Sequence, residues 1–198
     1  MKGSWGILGG AFDPIHLGHH TLTTEILEAR HLDGVILVPS FRPPHKADRC
    51  VAAFDDRVEM VKLMTLDDSR LKVSLIEQQI DGPGFTLDVM RALKAEFPLV
   101  TFCFIVGTDI ITEFQTWHKP DEILKEMPIL VGSRPGYDVE EGSAGMLPEG
   151  MEMISTTAIE LSSTKIRSQI KRGIEFESLC SLVGDRVARY ITDKGLYR

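Results

Sequence analysis

Short apolar runs, many of them β-branched, alternate along the chain with longer stretches in which apolar side chains recur three and four positions apart. The first pattern is that of buried strands and the second that of amphipathic helices. It predicts strands at Trp5–Leu8, Val35–Val38, Leu71–Leu75, Val100–Val106, Ile129–Val131 and Met151–Ile154. It predicts helices at Leu17–Arg30, Asp56–Leu66 and Thr86–Phe97, where Val58, Val61 and Met64, or Leu87, Met90 and Leu93, share a face. Ser162–Arg172 reads as a further helix, begun by hydroxyl residues able to cap free N–H groups and stopped at Gly173, and Asp185–Asp193 as a last one. Strands and helices in this alternation predict an α/β fold, a doubly wound parallel sheet with crossover helices on both faces. Arg134–Gly150, rich in Gly, Pro and Glu, reads as a long surface loop between two strands rather than a domain boundary.

Composition narrows the function more than the fold. At 198 residues, with 43% hydrophobic and 26% charged residues, the chain is expected to form one globular domain, with a C-terminal helical part at about 162–198. Its 22 basic and 29 acidic residues leave a net charge of −7, so no general basic field exists to hold nucleic acid. Any phosphate binding must be local. Cys50, Cys103 and Cys180 lie far apart with no CxxC pair, which argues against a disulfide framework and a structural zinc site. The longest apolar stretch, around Val100–Val106, is too short for a membrane span, and a glycine-rich turn interrupts Met1–Leu8 before an export signal forms. A complete, soluble, cytoplasmic protein without a membrane partner is expected.

Ligands of open parallel sheets bind beyond the carboxyl ends of the strands. The stretch Gly9-Gly10-Ala11-Phe12-Asp13-Pro14-Ile15-His16-Leu17-Gly18-His19 runs from such an end into the first helix. Two glycines permit close backbone approach, and a helix N-terminus presents N–H groups suited to phosphate. His16 and His19 fall on one face of the first turn, where paired imidazoles can donate to phosphate oxygens. The pattern also admits a capped turn with two surface histidines, or zinc, although no HExxH helix accompanies it. There is no GxGxxG after the first strand and no GxxxxGK[ST], so neither a dinucleotide reader of that type nor a Walker NTPase is indicated.

Four other segments offer similar pairs of readings. Ser163 and Thr164 open a helix carrying Arg167 in its first turn, a cap with a surface arginine or a fork-shaped phosphate donor. Lys46 follows the stiffened Pro43-Pro44 and reads locally as a solvated lysine. Asp109 follows a strand and Gly107, placed either to cap a helix at Ile110–Phe114 or to accept from ribose hydroxyls. Trp117 is core or a stacking platform.

The first stretch resembles the (T/H)xGH signature of the nucleotidyltransferase superfamily, and Ser162-Ser-Thr-Lys-Ile-Arg167 resembles its second signature, SSTxIR. Two signatures in order, at opposite ends of one chain, are far more specific than either alone. From about Trp5 to Tyr197 the chain is most similar to the bacterial nicotinic acid mononucleotide adenylyltransferases. That likeness includes Val38-Pro39, Pro43-Pro44-His45-Lys46, Gly107-Thr108-Asp109 with Trp117, Arg134-Pro135-Gly136-Tyr137, and a tail with Val187, Tyr190-Ile191 and Gly195-Leu196-Tyr197. The chain departs from the family at Phe85, Val89 and His118, where Tyr, Thr and an aromatic residue are frequent.

The resemblance implies a Rossmann-like nucleotidyltransferase domain spanning 1–198. It implies transfer of AMP from ATP to nicotinic acid mononucleotide, giving deamido-NAD and pyrophosphate in NAD biosynthesis, with Mg²⁺ carried on ATP. ATP would be met by Gly9, Gly10, Phe12, His16, His19, Gly107, Asp109, Arg134, Ser163, Thr164 and Arg167. The mononucleotide would be met by Lys46, by Thr86 at its carboxylate and by Trp117 stacked on the pyridine ring. His16, His19, Lys46 and Arg167 would be the catalytic group. A homo-oligomer is possible. Rival readings are a sister transferase for nicotinamide mononucleotide or phosphopantetheine, and a nucleotide sensor that has lost catalysis.

Overall fold

The computed structural model describes residues 1–41, 52–133, 147–157 and 159–198. Six strands form one wholly parallel sheet: β1 (Gly3–Gly10), β2 (Gly34–Pro39), β3 (Leu71–Val73), β4 (Val100–Gly107), β5 (Ile129–Ser133) and β6 (Met151–Ser155). Their order is β3-β2-β1-β4-β5-β6, so the winding reverses between β1 and β4, the point at which such sheets open a crevice. The register sets Leu8 beside Ile105 and continues β1 through Gly9 and Gly10, opposite Val38 and Pro39.

Successive side chains of a strand face opposite ways, and both faces here are buried. Leu8, Val35, Leu37, Cys103, Ile105 and Leu130 build one core layer. Against it pack α1 (Leu17–Ala29), α2 (Phe54–Thr65), α6 (Ser163–Lys171), α7 (Phe176–Val183) and α8 (Asp185–Lys194). Trp5, Ile7, Ile36, Val38, Phe102, Phe104, Val106, Ile129 and Val131 build the opposite layer. That layer is covered by α3 (Thr86–Glu96) and α5 (Pro120–Glu126), with the short α4 (Asp109–Glu113) at its rim. Single turns of 3₁₀ helix at Ile76–Gln79 and Phe114–Thr116 complete the connections. Among the described residues no helix is long and apolar enough to cross a membrane.

The helical part after β6 does not stand apart. α8 packs on α2 and α7 on α1, and their side chains join the same core layer as the sheet. Ser162 caps α6 through its hydroxyl, which accepts from the Lys165 N–H at 3.2 Å.

Candidate active site

The carboxyl ends of β1 and β4 lie side by side, so the segments that leave them share one rim. Gly9 and Gly10 are the last residues of β1, and Gly107 is the last of β4. After β1 the chain dives inward. Phe12 is 2% exposed, with a φ of 48°, and therefore offers the rim its backbone rather than its ring. His16 is the N-cap of α1 in extended conformation, and His19 lies in the first helical turn.

The two imidazoles stack, with centroids 3.7 Å apart and planes inclined by 27°. The edge of Phe12 supports His19 from the side at 5.2 Å. The His16 N–H donates to His19 Nδ1 at 3.3 Å, which leaves Nε2 of the neutral His19 ring to carry its donor proton. A buried cap and a tethered partner are not two loose surface histidines. The other alternative, zinc, needs further ligands; among the described residues no group of three or more His, Cys, Asp or Glu is placed to hold a metal ion.

The helix α6 meets this turn from the far end of the sequence. Ser163 Oγ donates to the Pro14 carbonyl at 2.9 Å, and Arg167 Nη1 donates to the Asp13 carbonyl at 2.7 Å. Arg167 Nη2 also donates to Thr164 Oγ1 at 3.3 Å, on a residue that is otherwise exposed. The two signatures, separated by about 150 residues of sequence, are thus hydrogen-bonded to each other. The Ser163 hydroxyl spends its proton on this tie, so what Ser163 offers an anion is its N–H at the helix start, whereas the Thr164 hydroxyl accepts from Arg167 and keeps its own proton.

Asp109 begins α4 and is exposed; its carboxylate lies over Gly107, with Oδ1 2.6 Å from where a β-carbon on that glycine would stand. Thr108, not Asp109, occupies the cap position. Trp117 is half-buried, tilted on Phe114 at 5.5 Å and edge-on to Phe104 at 6.3 Å, so it is part core and part surface. Thr86 opens α3. The rings of Phe85 and His118 stack at 4.2 Å with planes 16° apart, joining the segment that carries Thr86 to the one that carries Trp117. Lys46 and Arg134 lie outside the described residues.

Three residues hold the rim in shape, and two of them, Arg57 and Glu77, lie outside every motif of the sequence. Arg57 is 2% exposed on the buried face of α2 and donates from Nη1 to the Ala11 carbonyl at 2.6 Å and from Nη2 to the Ser40 carbonyl at 2.9 Å. It clamps the loops after β1 and β2 together. Glu77, also buried, accepts the Phe41 N–H at 2.9 Å where the chain leaves β2. Asp13 accepts from the Tyr197 hydroxyl at 2.8 Å and the Ala52 N–H at 3.2 Å. A charged residue four positions before Val61, on an apolar helical stripe, was a readable signal for Arg57. Nothing local marked Glu77.

Residues 7–169 match the family described as cytidylyltransferase-like. The nicotinate-nucleotide adenylyltransferase of Bacillus subtilis is 34% identical over 192 residues, covering 97% of this chain and 97% of that one. A probable nicotinate-nucleotide adenylyltransferase of Streptomyces coelicolor is 34% identical, covering 96% of this chain and 99% of that one. Among solved structures, the nicotinic acid mononucleotide adenylyltransferase of Plasmodium falciparum complexed with NaAD superposes with a TM-score of 0.80 at 20% identity, over 100% of this chain and 98% of that one. The structural likeness shows the fold, and the sequence likeness spans both signatures: the chain belongs to the cytidylyltransferase-like family and, within it, to the nicotinate-nucleotide adenylyltransferases.

Proposed function

We propose that the protein transfers AMP from ATP to nicotinic acid mononucleotide, releasing pyrophosphate and forming deamido-NAD. The observation that carries this reading is the stacked His16–His19 pair, hydrogen-bonded through its own turn to the start of α6 and standing at the β1/β4 switch point. Residues 1–198 act in it as one nucleotidyltransferase domain, with 162–198 as its helical part.

The 5′-phosphate of the mononucleotide attacks the α-phosphorus of ATP in line, and the bond to the bridging oxygen of pyrophosphate breaks. A phosphate monoester is already largely ionised at pH 7, so no general base is needed. Acceleration then comes from positioning and from donors aimed at phosphate oxygens. His19 Nε2, His16, Arg167 and the N–H groups at the starts of α1 and α6 supply those donors, and the family resemblance adds Lys46 and Arg134 to them. Magnesium carried on the triphosphate would neutralise part of its charge, and the imidazoles of His16 and His19 and the Arg167 guanidinium suit the remaining phosphate oxygens. Gly9, Gly10 and the Phe12 backbone border the nucleotide, and Asp109 beside Gly107 accepts from its ribose. Trp117 turns its exposed face to the pyridine ring, and Thr86 at the start of α3 faces the carboxylate.

The test is pyrophosphate release by purified protein with magnesium and ATP, offering nicotinic acid mononucleotide, nicotinamide mononucleotide and phosphopantetheine in parallel, with products identified by mass. Release with the acid mononucleotide and formation of deamido-NAD is expected. Preference for either other acceptor overturns the substrate, and ATP binding without release from any of them overturns the enzyme.

A further inference from the structure

The chain ends α8 at Gly195, whose left-handed φ of 62° reverses its direction. The reversal is locked by the Leu196 N–H, which donates to the Ile191 carbonyl at 3.0 Å. Tyr197 is thereby sent back into the protein, where it is only 8% exposed. Its hydroxyl donates to Asp13 Oδ1 at 2.8 Å, inside the first signature. The other carboxylate oxygen of Asp13 faces Arg167 Nη1 at 3.7 Å, while the same guanidinium nitrogen holds the Asp13 carbonyl. One buried acid, 2% exposed, thus meets the first signature, the second signature and the segment after α8 at once.

We propose that Tyr197 is a positioning residue for adenylyl transfer: its hydroxyl holds the Asp13 carboxylate so that Arg167 and the turn carrying His16 and His19 stand ready around the same phosphate group. The inference rests on the reading above that these side chains meet the triphosphate. Tyr197 touches no reacting atom. Its role is to remove freedom from the turn at Asp13 and Pro14, on which the placement of His16, His19 and Arg167 depends, and displacement of such donors by about 1 Å costs about 10²-fold in rate. Burial and the neighbouring Asp13 carboxylate push the phenol well above its ordinary range, so it remains a donor throughout the working range of pH.

Tyr197→Phe deletes the hydroxyl and keeps the ring. It should lower kcat about tenfold while leaving the KM of ATP and of the mononucleotide within about twofold of wild type. In an Arg167→Lys background the same change should cost less than about twofold, because the group it positions is already altered. Amide exchange over residues 11–19 in the free protein should quicken about tenfold. Should Tyr197→Phe fail to fold, Asp13→Asn, which keeps an acceptor for the hydroxyl and removes the charge facing Arg167, is expected to show the same non-additivity with Arg167→Lys. Equal losses in both backgrounds, with unchanged exchange, mark a purely structural role and overturn the inference. A wild type that turns over normally beside an unaffected Tyr197→Phe overturns the inference alone; a wild type inactive with every acceptor overturns the reading beneath it.

Discussion

His19 accepts the His16 N–H at Nδ1, which puts the donor proton of its neutral ring on Nε2. A donor held in this way is already oriented before charge develops on a phosphate oxygen, and so favours the transition state over bound ATP. His19→Ala is accordingly expected to lower turnover by about 10²–10³-fold, with ATP affinity changed several-fold at most. Steady-state kinetics beside calorimetric ATP binding reads the split, and unchanged turnover removes the imidazole from catalysis. Trp117 divides its faces differently, with one side against Phe104 and Phe114 and the rest open. Its loss should raise the KM of the mononucleotide about 5–150-fold, from about 1–3 kcal/mol of stacking, and leave that of ATP nearly unchanged. Trp117→Phe should recover part of the loss; equal effects on both substrates count against stacking. Both residues stand out in the sequence through motif and spacing. Arg57 and Glu77 do not, and Tyr197 does so only as part of a tail motif, because their importance lies in which distant carbonyl, N–H or carboxylate they reach.

At the level of elements, the strands were legible wherever apolar runs are buried on both faces, and the long crossover helices wherever their stripe is complete. The misses have definite causes. Gly9 and Gly10 look like a turn, yet they extend β1 because Val38 and Pro39 are there to pair with them. β3 stops at Val73, two residues short of its apolar run, and the chain passes into a 3₁₀ turn. α5 and α7 span only 7 and 8 residues, too short for periodicity to declare itself. Pro120 followed by Asp121 and Glu122 was nonetheless a start signal for α5. Gly34 shows a constraint that no local pattern carries. A β-carbon there would stand 2.4 Å from the Arg70 carbonyl oxygen and from the Trp5 ring, where β2 passes between its neighbours. Backbone cannot yield as a side-chain tip does, so Gly34→Ala should cost about 2–3 kcal/mol. In a chain of this size that lowers the melting temperature by about 5–10 °C. A thermal melt within a degree of wild type would show that the strand edge gives way.

Across the whole molecule, two of the buried ionisable groups among the described residues, Cys103 and Tyr197, resist losing a proton. Burial pushes the Cys103 thiol, which lies on β4 against the Trp5 carbonyl, up to about 11. Burial and the Asp13 carboxylate push Tyr197 higher still. In the unfolded chain these groups ionise near about 8.5 and 10. Below those values the folded and unfolded chains hold the same protons, and the stability that goes with the protonated groups is fully present. As pH rises past about 8.5 the unfolded chain releases the Cys103 proton first, and past about 10 the Tyr197 proton, while the folded chain keeps both. The unfolded state then binds fewer protons, so stability falls with rising pH, by up to about 1.4 kcal/mol per unit for each group inside its window. The urea midpoint should therefore be flat from pH 7 to 8, decline above about 8.5 and decline more steeply above about 10. Cys103→Ala should flatten the first limb and Tyr197→Phe should lessen the second, to which Tyr190, raised to about 12 by burial and its bond to Asp56, also contributes. A decline untouched by both variants would mean that alkaline unfolding begins elsewhere. A steep limb that is lessened by Tyr197→Phe would tie the packing of the segment after α8 on the first signature to the cooperative unit of the fold.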